Sequence, residues 1–247
     1  MTIFATYNIK GGVGKTAAAV NLAYLSALEG AHTLVWDIDP QGAATFYFRI
    51  KPKVKGGGKQ LIKGKKDLDS VIKGSDFDNL DLLPADFSYR NLDLLLENAK
   101  KPTHGLHKLL KPLTNSYDHI FLDCPPGISL VSENILYAAE VLLVPVIPTT
   151  LSLRTLEQLS EFVAGNKVNN VQILPFLSMI DRRKKLHLEL AETLPRDYPA
   201  MLSSAIPYAS DIERMGLMRQ PLGSFTSSSN RSNNAYQALW QEVKARI

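Results

Sequence analysis

Ten residues near the amino terminus, Tyr7-Asn8-Ile9-Lys10-Gly11-Gly12-Val13-Gly14-Lys15-Thr16, limit this chain to few folds. Ahead of them, Thr2–Tyr7 reads as a short apolar strand. Behind them, Ala17–Leu28 is rich in Ala and Leu and predicts a helix, with Gly30 suited to its stop. A strand, a glycine-rich turn and a helix in that order make a phosphate cradle. The glycines let backbone N–H groups turn inward, and the helix N-terminus adds partial positive charge. Lys15 is placed to reach β/γ-phosphates and the Thr16 hydroxyl to ligate Mg²⁺. Residues 10–17, namely Lys10, Gly11, Gly12, Val13, Gly14, Lys15, Thr16 and Ala17, are therefore expected around a nucleotide. The alternative is a glycine-rich turn that binds nothing, which gives no role to two lysines flanking three glycines. The usual spacing puts glycine five residues before Gly14, where this chain has Ile9, so a strict motif search passes the loop over.

In its place stands a second lysine, Lys10, opening a compact Lys-Gly-Gly-Val-Gly-Lys-Thr run. This run resembles the deviant Walker A loop of the ParA/MinD family of ATPases. The resemblance implies a homodimer sandwiching ATP, in which Lys10 reaches the partner's nucleotide. Three further stretches are similar to that family. Asp37-Ile38-Asp39-Pro40-Gln41-Gly42 closes a predicted strand over His32–Trp36. Taken as residues alone, it is either a turn or a pair of carboxylates sharing one face of a continuing strand. The resemblance makes it a switch segment in which Asp39 places the attacking water beside the metal. Tyr117–Leu122 predicts a buried strand ending in Asp123-Cys124-Pro125-Pro126-Gly127, the arrangement in which a carboxylate holds Mg²⁺ through water. Ser178-Met179-Ile180-Asp181 and Ala205-Ile206-Pro207 look like the family's adenine-side elements, which implies Met179 and Pro207 at the base. Thr16, Asp39 and Asp123 are then the metal-site residues, and Lys10, Lys15 and Asp39 the catalytic ones.

Further strands are expected at Leu80–Leu83, Val141–Val146 and Val171–Met179, and a helix opens near Leu153. Leu92–Leu96 and His107–Leu110 read as surface helices. The alternation predicts an α/β fold: a doubly wound, mainly parallel sheet with helices on both faces, in one domain spanning 1–247. At 45% hydrophobic residues the chain can bury a full core. No apolar run is long enough to span a bilayer, and Met1 leads directly into the first strand, leaving no room for a signal peptide. The single cysteine, Cys124, excludes an internal disulfide, fits a reducing cytoplasm, and speaks against an iron–sulfur relative. His104 and His107 share helical spacing but read as surface residues rather than metal ligands.

The net charge of +4 is local. Seven of the 28 basic residues lie in 51–66, which has no acid, while the rest of the chain holds 21 basic and all 24 acidic residues. That lysine segment, with Gly56-Gly57-Gly58 at its centre, predicts a mobile loop and a place to seek a polyanion. By the resemblance, Arg231 and Arg196 fall near arginines implicated in non-specific DNA contact. A ParA-type ATPase is expected to use ATP and Mg²⁺, bind nucleoid DNA as a dimer, and release it when a ParB-like or cargo-adaptor protein stimulates hydrolysis. It would position a plasmid, a chromosome or another cargo. Two other readings stay open. A MinD-like membrane-cycling ATPase would use the amphipathic tail 235–247, in which Tyr236, Leu239, Trp240 and Val243 recur at helical spacing. A metabolic enzyme could share the same sheet but needs a substrate pocket that the sequence does not display.

Overall fold

The computed structural model describes residues 1–62, 68–166, 168 and 171–247. Its centre is β1 (Thr2–Thr6), followed by α1 (Lys15–Leu28), β2 (Thr33–Asp37), the short helices α2 (Ala43–Tyr47) and α3 (Gly57–Ile62), and strands β3 (Lys73–Gly74) and β4 (Leu80–Leu83). Helices α4 (Leu92–Glu97) and α5 (Gly105–Leu110) lead to β5 (His119–Asp123), α6 (Leu130–Ala138), β6 (Val141–Val146) and α7 (Thr150–Gly165). The chain closes through β7 (Gln172–Ile180), α8 (Lys185–Asp197), β8 (Ala205–Pro207), α9 (Ser210–Met218) and α10 (Arg231–Lys244). The eight strands form one sheet in the order β3-β4-β2-β5-β1-β6-β7-β8. Every pairing is parallel except that of the two-residue edge strand β3 with β4.

Strand side chains alternate between two cores, as the period of two requires. On one face Phe4, Phe121 and Leu143 pack with α1, α2, α9 and α10 through Leu22, Ala44, Met215 and Trp240. On the other, Ala5, Leu122 and Leu142 pack with the helices from α3 to α8 through Leu61, Leu96, Leu110, Ile135, Leu159 and Leu194. Because the central strands are covered on both sides, they read as continuous apolar runs, which is why their positions were visible in the sequence.

Two expectations change. The helices α4 and α5 are not surface decoration, since Leu92, Leu96, Leu106 and Leu110 are buried in the second core. The lysine segment is not a loop through its centre: Gly57–Ile62 is helical, with Val54, Gly58 and Leu61 buried. Gly58 lies where a Cβ would meet the Tyr89 ring at 3.1 Å, so the glycines allow α3 to sit tightly on its neighbours. Lys51, Lys53, Lys55 and Lys59 are exposed, while Lys63, Lys65 and Lys66 lie outside the described residues.

Candidate nucleotide site

The loop between β1 and α1 is held from two sides. Asn8 donates through Nδ2 to the Pro145 carbonyl at 2.9 Å, and its Oδ1 accepts from the Lys10 amide at 2.9 Å. The Tyr7 hydroxyl donates to the Gly127 carbonyl at 2.6 Å, and the Gly127 amide donates to the Ile9 carbonyl at 2.9 Å. The loop is thereby tied to the segment that follows β5. Gly12 and Gly14 adopt positive φ of 70° and 96°, and a Cβ on Gly14 would meet Ser178 Oγ at 2.8 Å. Glycine is required there both for its conformation and for close approach. Gly14 also caps α1, and no side chain accepts from the first-turn amides, which leaves them free for an anion.

Lys15 is buried with 7% exposure, and its ammonium donates to the Lys10 carbonyl at 3.1 Å. Burial lowers its pKa, while Asp123, Cys124 and Asp39 pull the other way. Lys10, Thr16 and Ala17 are half-buried, Val13 is buried, and Gly11 and Gly12 are exposed at the rim.

Beside the loop lie two carboxylates on adjoining strands, since Asp37 ends β2 and pairs in register with Asp123 at the end of β5. Both are fully buried. Asp37 Oδ2 accepts from the Thr45 amide and hydroxyl, each at 2.7 Å, but its Oδ1 and both oxygens of Asp123 lack hydrogen-bond partners. Burial pushes Asp37 up to about 6 against the Thr45 bonds. Burial, then Asp37, raises Asp123 well above the carboxylate range, and the nearby Thr16 hydroxyl offsets this without reaching a hydrogen bond. Three orphaned carboxylate oxygens around a lysine and a threonine fit a divalent cation. Among the described residues no cluster of three or more His, Cys, Asp or Glu is arranged as a protein cage. Mg²⁺ held by phosphate, water and one or two carboxylates needs none.

Asp39 does not share a strand face with Asp37, because β2 ends at Asp37. It sits half-buried in a turn, its Oδ1 accepting from the Gln41 amide and its carbonyl from the Gly42 amide, both at 2.9 Å. On the other side of the loop, a cleft of about 50 Å³ brings together Gly14, Ala17, Met179 and Pro207, joined by Tyr208 and Ile212. Met179 has φ of 57°, a left-handed conformation that re-aims β7 just where it lines this cleft. A larger cavity, of about 890 Å³, lies between α3 and α5 and shares no residue with the phosphate loop.

The two arginines are not brought together. Arg231 is the exposed first residue of α10, preceded by Asn230, which caps that helix and donates to Asp211 Oδ2 at 2.8 Å. That places Arg231 on the edge of the sheet where the phosphate loop lies. Arg196 stands in the last turn of α8, roughly 16 Å of helix beyond Lys185, where α8 opens after β7. It is engaged with Glu192 through a 3.8 Å ion pair. In the sequence Asp37 stands out without a role, and Thr45 and Tyr208 do not stand out at all. For Thr45 the only signal would have been α2 itself, a five-residue helix with too little periodicity to read.

The profile of the AAA_31 family, an AAA domain, matches residues 1–174. The chain is 32% identical over 199 residues to the sporulation initiation inhibitor protein Soj of Bacillus subtilis, covering 78% of this chain and 79% of Soj. A plasmid partition protein from Borrelia burgdorferi bound to AMPPNP superposes with a TM-score of 0.84 at 23% identity, covering 100% of this chain and 99% of that one. Cobyrinic acid a,c-diamide synthase from Mycobacterium smegmatis, with bound ATP analogue and magnesium, superposes at 0.83 with 22% identity over 100% and 95% of the two chains. At these identities the two structures establish a shared fold.

Proposed function

The chain belongs to the ParA-type partitioning ATPases of the AAA_31 family, and from that membership we propose that it is an ATP-driven switch that captures and releases DNA. The observation that carries this reading is the buried, unpartnered Asp123 carboxylate beside Lys15 and Thr16. Backbone amides of residues 11–17 and the Lys15 ammonium hold the phosphates, and Met179 and Pro207 flank the adenine. Thr16 and Asp123 are the residues that would hold Mg²⁺, with Asp39 beside them. When bound, Mg²⁺ neutralises phosphate charge and polarises the bond that breaks. Asp39 orients the attacking water from its turn, and Lys10, at the outer rim of the loop, completes the site of a second copy. ATP thus stabilises a homodimer sandwiching two nucleotides.

The dimer binds duplex DNA without sequence preference, and a ParB-like or cargo-adaptor protein ends the state by stimulating hydrolysis. The protein is then cytoplasmic and nucleoid-associated while ATP is bound. Arg231 supplies the stronger DNA contact because it shares the nucleotide edge and two copies double it. Arg196, on the opposite edge, contributes less. The exposed lysines of 51–59 are the rival polyanion surface.

An electrophoretic shift of random duplex DNA with ATP, ADP or no nucleotide, at two salt concentrations, tests this. Binding is expected only with ATP and to weaken steeply with salt, as counterion release requires. Arg231→Ala should weaken it most while ATP affinity stays unchanged. Failure of the wild-type protein to shift DNA with ATP at low salt would overturn the DNA-switch reading.

A further inference from the structure

Arg219 ends α9 in the left-handed conformation, with φ of 53° and ψ of 51°, and its amide donates to the Met215 carbonyl at 2.7 Å. This is the helix-closing position that glycine normally fills, and a side chain there carries backbone strain. Such an outlier invites the question of what the side chain does in return. Here it crosses to α2, 173 residues earlier in the chain. Its Nε donates to the Phe46 carbonyl at 3.1 Å, and its guanidinium sits 4.5 Å from the centroid of the Phe46 ring.

The helix it grips has only five residues and carries two links to the nucleotide site. Thr45, the neighbour of Phe46, holds Asp37 Oδ2 through both amide and hydroxyl and accepts from the Ala85 amide at 2.8 Å. Gly42 starts α2, accepting from the Phe46 amide and donating to the Asp39 carbonyl, both at 2.9 Å. One turn of helix therefore separates the Arg219 contact from Gly42 and the Asp39 turn, and Thr45, the adjacent residue, holds the carboxylate that pairs in register with Asp123. Tyr47, the other neighbour, faces Gly216 of α9, where an added Cβ would meet its ring at 3.9 Å.

We propose that Arg219 is a positioning residue for hydrolysis, a latch from α9 that fixes α2 and so the Asp37–Thr45 pair and the Asp39 turn. The inference rests on the ATPase reading above. Arg219 acts through Phe46. The phosphates are held by the loop and α1, whereas Arg219 itself grips α2, so nucleotide affinity should depend on it little.

The test compares wild type, Arg219→Gly, Phe46→Leu and the double variant for steady-state phosphate release, affinity for a fluorescent ATP analogue, and Tm. Glycine relieves the strain at this position, so Arg219→Gly should keep a Tm at or above wild type. Its turnover should nevertheless fall roughly five- to twentyfold with affinity within about twofold, since small misplacements of reacting groups cost rates of this order. Phe46→Leu removes the ring contact but keeps the carbonyl that accepts from Arg219, so it should lose less turnover than Arg219→Gly. The double variant should be no slower than Arg219→Gly, because that change alone already removes both contacts. Arg219→Gly turning over at or above the wild-type rate, or losses that multiply in the double variant, would overturn the latch while leaving the ATPase assignment standing. Wild-type protein that releases no phosphate from Mg²⁺-ATP would overturn the ATPase reading and the latch with it.

Discussion

Asp123 concentrates the conflict between folding and function in this protein. A carboxylate with no exposure, no hydrogen bond and Asp37 on the next strand is destabilising unless a cation is bound. Asp123→Asn removes the ionisable group at constant shape, beside Asp37 on the next strand. In Mg²⁺-free buffer it should stabilise the nucleotide-free protein by about 1–3 kcal/mol, raising Tm by several degrees in a thermal melt. The same variant should weaken nucleotide binding only when Mg²⁺ is present, which a titration with and without the metal would show. A lower Tm would mean that the carboxylate is structurally satisfied. The positions of the loop, Lys15, Thr16 and Asp123 were legible because each comes at or soon after the end of its own apolar strand. Asp37's partner was not, because the grip on it comes from a hydroxyl eight residues later, on a helix too short to leave a pattern.

At the scale of elements, the carboxy-terminal helix decides between two readings of one amphipathic stripe. Tyr236, Leu239, Trp240 and Val243 of α10 are all buried against α1 and the sheet, so the stripe is consumed by the core and not offered to a lipid surface. Among the described residues no helix is long and apolar enough to cross a membrane. The end of α10 is pinned by Glu29, which accepts from Trp240 Nε1 and Gln241 Nε2 at 3.0 Å and from Lys244 Nζ at 2.7 Å. Burial raises the Glu29 pKa, but the Lys244, Trp240 and Gln241 bonds outweigh it and hold the group below its ordinary value. A folded pKa below the unfolded one means stability that is present above the unfolded value of about 4.3 and is lost as pH falls through the folded one. With both side chains a third or more exposed, solvent screening limits the contribution to about 1 kcal/mol. Glu29→Gln should lower Tm by about 2–4 °C at pH 7, and melts of the two proteins should converge as the pH falls below the ordinary glutamate value of about 4.3 and through the lower folded one. A difference that persists at low pH would show that shape, not charge, pins the helix. The tail was legible as an amphipathic helix; which surface it covers depended on Phe4, Phe121 and Leu22, contacts that no local pattern reveals.

Across the whole molecule, the topology gathers the chemistry on one edge. The glycine-rich loop follows β1, Asp37 closes β2 and the Asp39 turn follows it, Asp123 closes β5, and the Met179–Pro207 cleft lies at the ends of β7 and β8. In a doubly wound parallel sheet these ends form the ligand crevice, so segments far apart in sequence meet around one nucleotide. The parallel order was legible from the alternation of elements. The edge strand β3 and the separation of Arg196 from Arg231 were not, because both depend on where connecting segments lie. The central claim is that ATP joins two copies, with Lys15 serving its own nucleotide and Lys10 its partner's. Sedimentation velocity of wild type, Lys10→Ala and Lys15→Ala with Mg²⁺-ATP or Mg²⁺-ADP, alongside a nucleotide titration of each, tests it directly. Wild type should become a dimer with ATP alone, Lys15→Ala should bind no nucleotide, and Lys10→Ala should bind ATP yet stay monomeric. A Lys10→Ala protein that dimerises with ATP as wild type does would contradict the account.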